Sequence, residues 1–278
     1  MRQKLPYAKF IRLFALCAII LSTTGILSPL EAQQADARKT TCDTITVGGP
    51  ASWQPVSYIA SDVRQSGLGI DIIKEYAKRH GIKVEIDIEL PWARTLDLLL
   101  QGKIDVTAGA YFTDERQRVY QYSDPFYTDE IMVFQHVDRR FGYSKIEDLR
   151  GYRGARPHGG SLGKKIDTYS SQQLDVMYSP TNDRIFDLLR AGHVDYVLLA
   201  RYDGLATLHK LGAQDTIIAV EPPVDHNPVR LMFSRNSPCV KHVAQINMLI
   251  AELGQNGTID DRTKYHLEQT VFSLETGS

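Results

Sequence analysis

The run Leu96-Asp97-Leu98-Leu99-Leu100-Gln101-Gly102-Lys103-Ile104-Asp105 is echoed by Phe186-Asp187-Leu188-Leu189-Arg190-Ala191-Gly192-His193-Val194-Asp195. Each copy reads as an apolar helix, a glycine that stops it, and a strand opened by an apolar-Asp pair. The same unit occurring twice, about ninety residues apart, predicts two α/β lobes of similar build. Outward from the first copy the pattern continues. Residues 44–47 form a short β-rich run that ends in Gly48-Gly49-Pro50. From 70 to 80 the apolar positions Ile70, Ile73, Tyr76 and Ala77 recur at helical spacing, with Gly81 where a C-cap belongs. Ile82, Val84, Ile86 and Ile88 then alternate with Lys83, Glu85, Asp87 and Glu89, which predicts a strand with one buried face. A helix over 94–101 and an apolar strand from Ile104 follow. Helices alternating with strands imply α/β units on a largely parallel sheet. No low-complexity linker separates the halves, so two lobes sharing crossing strands are expected rather than tandem domains.

The first residues read as an address. Arg2, Lys4, Lys9 and Arg12 precede an apolar run over 13–30, and Ala35-Asp36-Ala37 and Ala32 offer two cleavage sites, the layout of a secretory signal peptide. A signal peptide at 1–37, cut after 32 or 37, leaves a chain of roughly 245 residues, enough for one large or two ordinary domains. Removal through Ala32 takes away four basic residues and Glu31, which moves the formal charge from −1 to −4. A mildly acidic chain without a basic stripe argues against nucleic acid as partner. Cys42 and Cys239 survive processing, and export places them where a disulfide is expected; two buried thiols are the alternative. The eight histidines lack metal-ligand spacing and no phosphate-binding loop appears, so no cofactor or metal is expected.

Three stretches, the first of them inside the first repeat, carry a resemblance. Leu100-Gln101-Gly102-Lys103-Ile104-Asp105, Thr113-Asp114-Glu115-Arg116 and Tyr122-Ser123-Asp124-Pro125-Phe126-Tyr127 resemble the core signature of family 3 extracellular solute-binding proteins. The similarity continues through Glu147-Asp148-Leu149-Arg150-Gly151, Gly192-His193-Val194-Asp195 and Asn256-Gly257-Thr258-Ile259. It implies a type II periplasmic-binding-protein fold: α/β, with two Rossmann-like lobes joined by crossing strands. Lobe 1 is then discontinuous, 42–131 and 228–275, and lobe 2 is 132–227, with crossings near 130–135 and 227–232. It also implies capture of a small carboxylate-bearing solute for an inner-membrane ABC permease, with the ligand between the lobes.

Arg116 is the first candidate for the ligand carboxylate, because its planar fork matches two oxygens; the resemblance gives the arginine of Thr-x-x-Arg that role. Trp53 and Trp92 sit in loops at strand ends, where open α/β sheets place ligands, and the resemblance assigns such aromatics to the ligand side chain. Gly160 and Ser161 are expected at a helix N-terminus that cradles an anion. Gly109 and Tyr111 complete the expected ligand set. Asp105 and Asp195 read as structural strand-start residues, and 123–125 as a turn.

Two positions depart from the family pattern. Ala200 stands where a carboxylate usually holds the ligand ammonium; Asp203 is nearby, but Arg201 beside it disfavours a cation. Tyr111 replaces a small hydroxyl residue. The ligand is therefore expected to lack a free α-amino group or to be held differently. An enzyme is not expected, although Gly159-Gly160-Ser161-Leu162-Gly163 fits a nucleophile elbow with Asp195 and His226 following in hydrolase order. A dehydratase on the same fold and an exported solute sensor are the other readings.

Overall fold

The computed structural model describes residues 40–276, with side chains through 269. The expected signal peptide lies outside these residues. In chain order the elements are β1 (Thr44–Gly48), β2 (Ser52–Trp53), β3 (Ser57–Ile59), β4 (Gln65–Ser66), α1 (Leu68–His80), β5 (Lys83–Asp87), α2 (Trp92–Gln101), β6 (Val106–Tyr111), α3 (Asp114–Val119) and β7 (Tyr120–His136). There follow β8 (Arg153–Pro157), α4 (Lys164–Gln173), β9 (Asp175–Ser179), α5 (Asn182–Arg190), β10 (Tyr196–Ala200), α6 (Arg201–Lys210), β11 (Ile217–Ser234), α7 (Val243–Gln255) and α8 (Thr258–Thr276). Among the described residues no helix is long and apolar enough to cross a membrane.

Eight strands form one sheet in the order β5-β1-β6-β11-β7-β10-β8-β9, and β2, β3 and β4 form a small antiparallel sheet beside it. The outer strands of each half run parallel, β5 and β6 with β1 and β9 and β10 with β8. The centre is different. β7 and β11, of 17 and 18 residues, pair antiparallel with each other, while β6 joins β11 on one side and β10 joins β7 on the other. The central ladder breaks register between Val220 and Asp225, opposite Val133 and Ile131.

The repeat has a structural counterpart. α2 and α5 are each followed by a left-handed glycine, Gly102 at φ 76° and Gly192 at φ 74°, a conformation that glycine adopts without the strain a Cβ brings. In the first copy Asp105 N–H donates to the Thr46 carbonyl (2.9 Å) and its Oδ2 accepts the Thr46 N–H (2.7 Å). In the second, Asp195 makes the same exchange with Arg153, at 2.7 Å in both directions. Each aspartate thus bonds a backbone N–H of the neighbouring strand, which is why the residue type recurs.

Two local expectations change. β5 is shorter than its alternating run, and Val84 and Ile86 are only half-buried, because it is an edge strand with one neighbour. The expected turn at 123–125 is an irregularity inside β7: Ser123 Oγ accepts the Leu231 N–H (2.9 Å) and the register shifts across Arg230. Proline has no N–H for a ladder, and Pro125 sits at this break.

Apolar side chains from both halves, among them Ile45, Val47, Ile73, Val133, Leu198 and Leu231, join one continuous core. The small sheet is pinned from behind. Tyr58 Oη is hydrogen-bonded to His266 Nδ1 (2.9 Å), whose Nε2 meets Asp71 Oδ2 (2.9 Å). Cys42 and Cys239 form a disulfide that links the start of β1 to the segment before α7 across 197 residues. Closing so long a loop is worth about 5 kcal/mol on loop-closure entropy. The Cys42→Ala/Cys239→Ala protein is expected to melt about 10–20 °C lower by circular dichroism; an unchanged midpoint would contradict that contribution.

Candidate functional site

A cavity of about 190 Å³ lies between the two halves of the sheet, at the carboxyl ends of β6, β8 and β10. One wall comes from the first half: Pro50, Ser52, Trp53, Trp92, Tyr111 and Arg116. The other comes from the second half and includes Gly160, Ser161, Leu162, Asn182, Ala200 and Asp203. This is the crevice position expected of ligands on open α/β sheets.

Arg116 projects from α3, whose N-cap Thr113 accepts the Arg116 N–H (3.1 Å). Its guanidinium lies over the Trp92 ring, 5.5 Å from the centroid, and Nη1 donates to the Tyr111 carbonyl (3.3 Å). Most of its donors therefore stay available to a planar acceptor. The Tyr111 hydroxyl does not turn toward Arg116. It donates to Asp129 Oδ2 (2.8 Å), which also accepts the Trp53 indole N–H (2.7 Å). Trp53 meets Tyr111 edge to face at 4.9 Å.

Asp203 faces the cavity from the first turn of α6, one turn beyond Ala200. Asn182 Nδ2 donates to its Oδ1 (2.7 Å). Burial pushes the Asp203 carboxyl up to about 8, with the nearby Asp129 charge adding to the rise and the Asn182 bond opposing it. Burial also raises Asp129, to about 6, against its bonds from Trp53 and Tyr111. The concern raised by Arg201 is resolved by its direction. It pairs with Glu130 and with Glu221 (2.7 Å) and does not line the cavity. Among the described residues no cationic side chain pairs with Asp203, so its buried carboxyl holds a proton at neutral pH.

Six of the seven expected ligand residues line this cavity; Gly109 does not. It sits behind Trp53, where a Cβ would come within 2.4 Å of Val56 and 3.1 Å of the indole, so it makes room chiefly for Val56. Gly160 and Ser161 reach the cavity, but the expected anion cradle is already filled. α4 begins at Lys164, and its Asp167 accepts bonds from Ser161 Oγ, the Leu162 N–H (3.0 Å) and Arg156 Nη2 (2.7 Å). Asn182 was not anticipated, although its place after the cap Thr181 at the start of α5 is a readable signal. Asp129 was missed outright.

Across residues 45–269 the chain matches the bacterial extracellular solute-binding proteins, family 3. The chain belongs to this family. It is 25% identical over 224 residues to the L-cystine-binding protein TcyA of Bacillus subtilis (strain 168), covering 79% of this chain and 80% of that one. Among solved structures it is similar to a histidine kinase sensor domain with similarity to periplasmic binding proteins, with TM-score 0.70, 21% identity, and 82% of this chain and 98% of that one covered. A mutant of ArgBP from T. maritima gives TM-score 0.68 and 22% identity, over 81% of this chain and 96% of that one. These likenesses establish the periplasmic-binding-protein fold.

The carboxyl shifts have a consequence for stability. Asp203 titrates at about 8 in the folded ligand-free chain and near 3.9 when unfolded. Between those values the folded state holds a proton that the unfolded state releases, so this group's contribution falls as pH rises toward 8. The difference in melting temperature between the wild type and Asp203→Asn should therefore shift against the wild type from pH 5 to pH 8. A pH-independent difference would contradict the assignment.

Proposed function

We propose that this chain is the periplasmic solute-capturing subunit of an ABC importer, exported by its N-terminal signal, and that its ligand is a zwitterionic amino acid or a close relative. The observation that carries the reading is an arginine and a buried carboxyl facing one cavity from its two walls, Arg116 from α3 and Asp203 from α6. In this reading Arg116 takes the ligand carboxylate as a two-pronged acceptor. Asp203, steadied by Asn182, takes the ammonium that Ala200 cannot. Trp53 and Trp92 flank the ligand, and Gly160 and Ser161 close over it through backbone and van der Waals contact.

The two sheet halves are proposed as the lobes, 42–131 with 228–275 and 132–227, with the crossings near 130–135 on β7 and 227–232 on β11. Ligand access needs the walls to part about those strands. Lys164 of α4 pairs with Asp114 of α3 across the rim; exposed as it is, this bridge adds little energy. Membership of a solute-binding family and the relative's own L-cystine-binding name support transport of an amino acid.

The geometry also favours binding over hydrolysis. Ser161 Oγ is turned to Asp167, Asp195 is bonded to the Arg153 N–H, and His226 stands 3.7 Å from Glu130. None of the three has another as its hydrogen-bond partner, so the elbow motif lacks its base.

A thermal-shift panel of L-amino acids, L-cystine, carboxylates without an α-amino group, and simple amines tests the proposal on refolded, ligand-free protein. A true ligand at about a hundred times its Kd adds about 2.7 kcal/mol, or roughly 5–10 °C for a chain of this size. The largest shift should come from an α-amino acid. Arg116→Ala and Asp203→Asn should each weaken it by about 30-fold or more. A shift given equally by carboxylates lacking the amino group would remove Asp203 from the ligand site.

A further inference from the structure

Asp129 and Asn227 stand opposite each other in the β7–β11 ladder, and directly opposed residues of an antiparallel pair project from the same face. Both are buried, at 0% and 8% exposure. They reach in different directions. Asp129 Oδ2 accepts the Trp53 indole N–H (2.7 Å) and the Tyr111 hydroxyl (2.8 Å). These two rings come from β2 and β6, so one oxygen joins two elements of the first wall. Asn227 Nδ2 donates to the Leu162 carbonyl (2.5 Å), in the loop that presents Gly160 and Ser161. That approach is close: a Cβ on Gly163, at φ +94°, would come within 2.2 Å of Asn227 Oδ1.

Burying an ionisable carboxylate costs desolvation that an apolar side chain of the same size would avoid. Two short bonds to a single oxygen offset part of it and fix both donors in direction. They also draw the Tyr111 hydroxyl away from Arg116, which leaves that guanidinium to the cavity.

We propose that Asp129 and Asn227 are positioning residues of the binding cleft, Asp129 fixing the Trp53–Tyr111 wall and Asn227 the 160–163 loop, so that both walls are registered to one point on the crossing strands. The importance of that geometry rests on the cleft being the ligand site, but the geometry itself is measurable without ligand. Each wall keeps its internal shape when the cleft opens, because its anchor is a side-chain bond to the strand rather than a contact with the opposite wall.

The test uses the mature protein carrying Trp92→Phe, in which Trp53 is the remaining tryptophan, and follows acrylamide quenching of its emission. Asp129→Asn replaces the ionisable acceptor with a neutral amide oxygen that holds the same two donors more weakly, and at pH 8 should raise the quenching constant about twofold or more. Adding Tyr111→Phe removes one donor, lets the amide oxygen accept the indole N–H alone, and should return quenching toward its starting value. Unchanged quenching in Asp129→Asn, or more quenching in the double variant, would overturn the proposal; general loosening would make the double variant worse. If Asp129→Asn does not fold, the pH profile decides, measured with Asp203→Asn to silence the facing acid. Glu130, Tyr111 and Tyr127 also face Asp129. Trp53 emission should then change near pH 6, where Asp129 titrates, and a flat profile contradicts its role. For the second anchor, Asn227→Ala should speed amide exchange in 160–163 about tenfold while leaving Trp53 quenching unchanged. Unaltered exchange there would remove Asn227 from the proposal. No readout here uses ligand, so a flat ligand panel and a failure of this proposal are distinguishable.

Discussion

The rest of the structure depends on the antiparallel backbone ladder between β7 and β11. Each parallel triplet of strands meets its counterpart only through this pair in the sheet order. Strands of 17 and 18 residues can serve both halves because their apolar positions are buried on either side of the register break, from Tyr120 and Phe126 to Val133 and Phe134 on β7 alone. At the break Arg201, Glu130 and Glu221 gather as an ion-paired group, so the guanidinium at the start of α6 is matched by carboxylates.

The second constraint is electrostatic. A helix N-terminus normally favours an ionised acid, and Asp203 sits in the first turn of α6, yet burial wins and its proton affinity rises. In the proposed reading a ligand ammonium would displace that proton, and Arg116 on the opposite wall would take the carboxylate of the same molecule. The same cleft chemistry would serve import or sensing; only the partner surface would differ.

Much of this was legible in the sequence, for local reasons. Helix, glycine and strand signals lie within ten residues of one another, so the repeated units, their glycine stops and their aspartates could be read directly. Arg116, Trp53 and Trp92 stand beside strand ends, which places them on one edge of a sheet once the sheet is known. What stayed hidden depends on pairing over long separations or on side-chain direction. Asp129 looks like one more polar residue in Tyr127-Thr128-Asp129-Glu130 until Trp53, 76 positions earlier, folds against it. The glycine-rich turn at 159–163 has the donors of an anion site, but nothing local says that Asp167 takes them. Arg201 looked hostile to a cation because Glu221 is twenty residues away. Gly109 has a reason to be small that local sequence does not show, since a Cβ there would collide with Val56 behind the cavity wall.

The central claim is that a ligand cation replaces a proton on Asp203 when the cleft fills. Calorimetric titration of the most stabilising amino acid at pH 7, in buffers of different ionisation enthalpy, counts that proton directly. With Asp203 at about 8 in the empty cleft, binding should release close to one proton, and the release should vanish in Asp203→Asn. Tight binding with no proton released at pH 7 would contradict the account and move the ligand ammonium elsewhere.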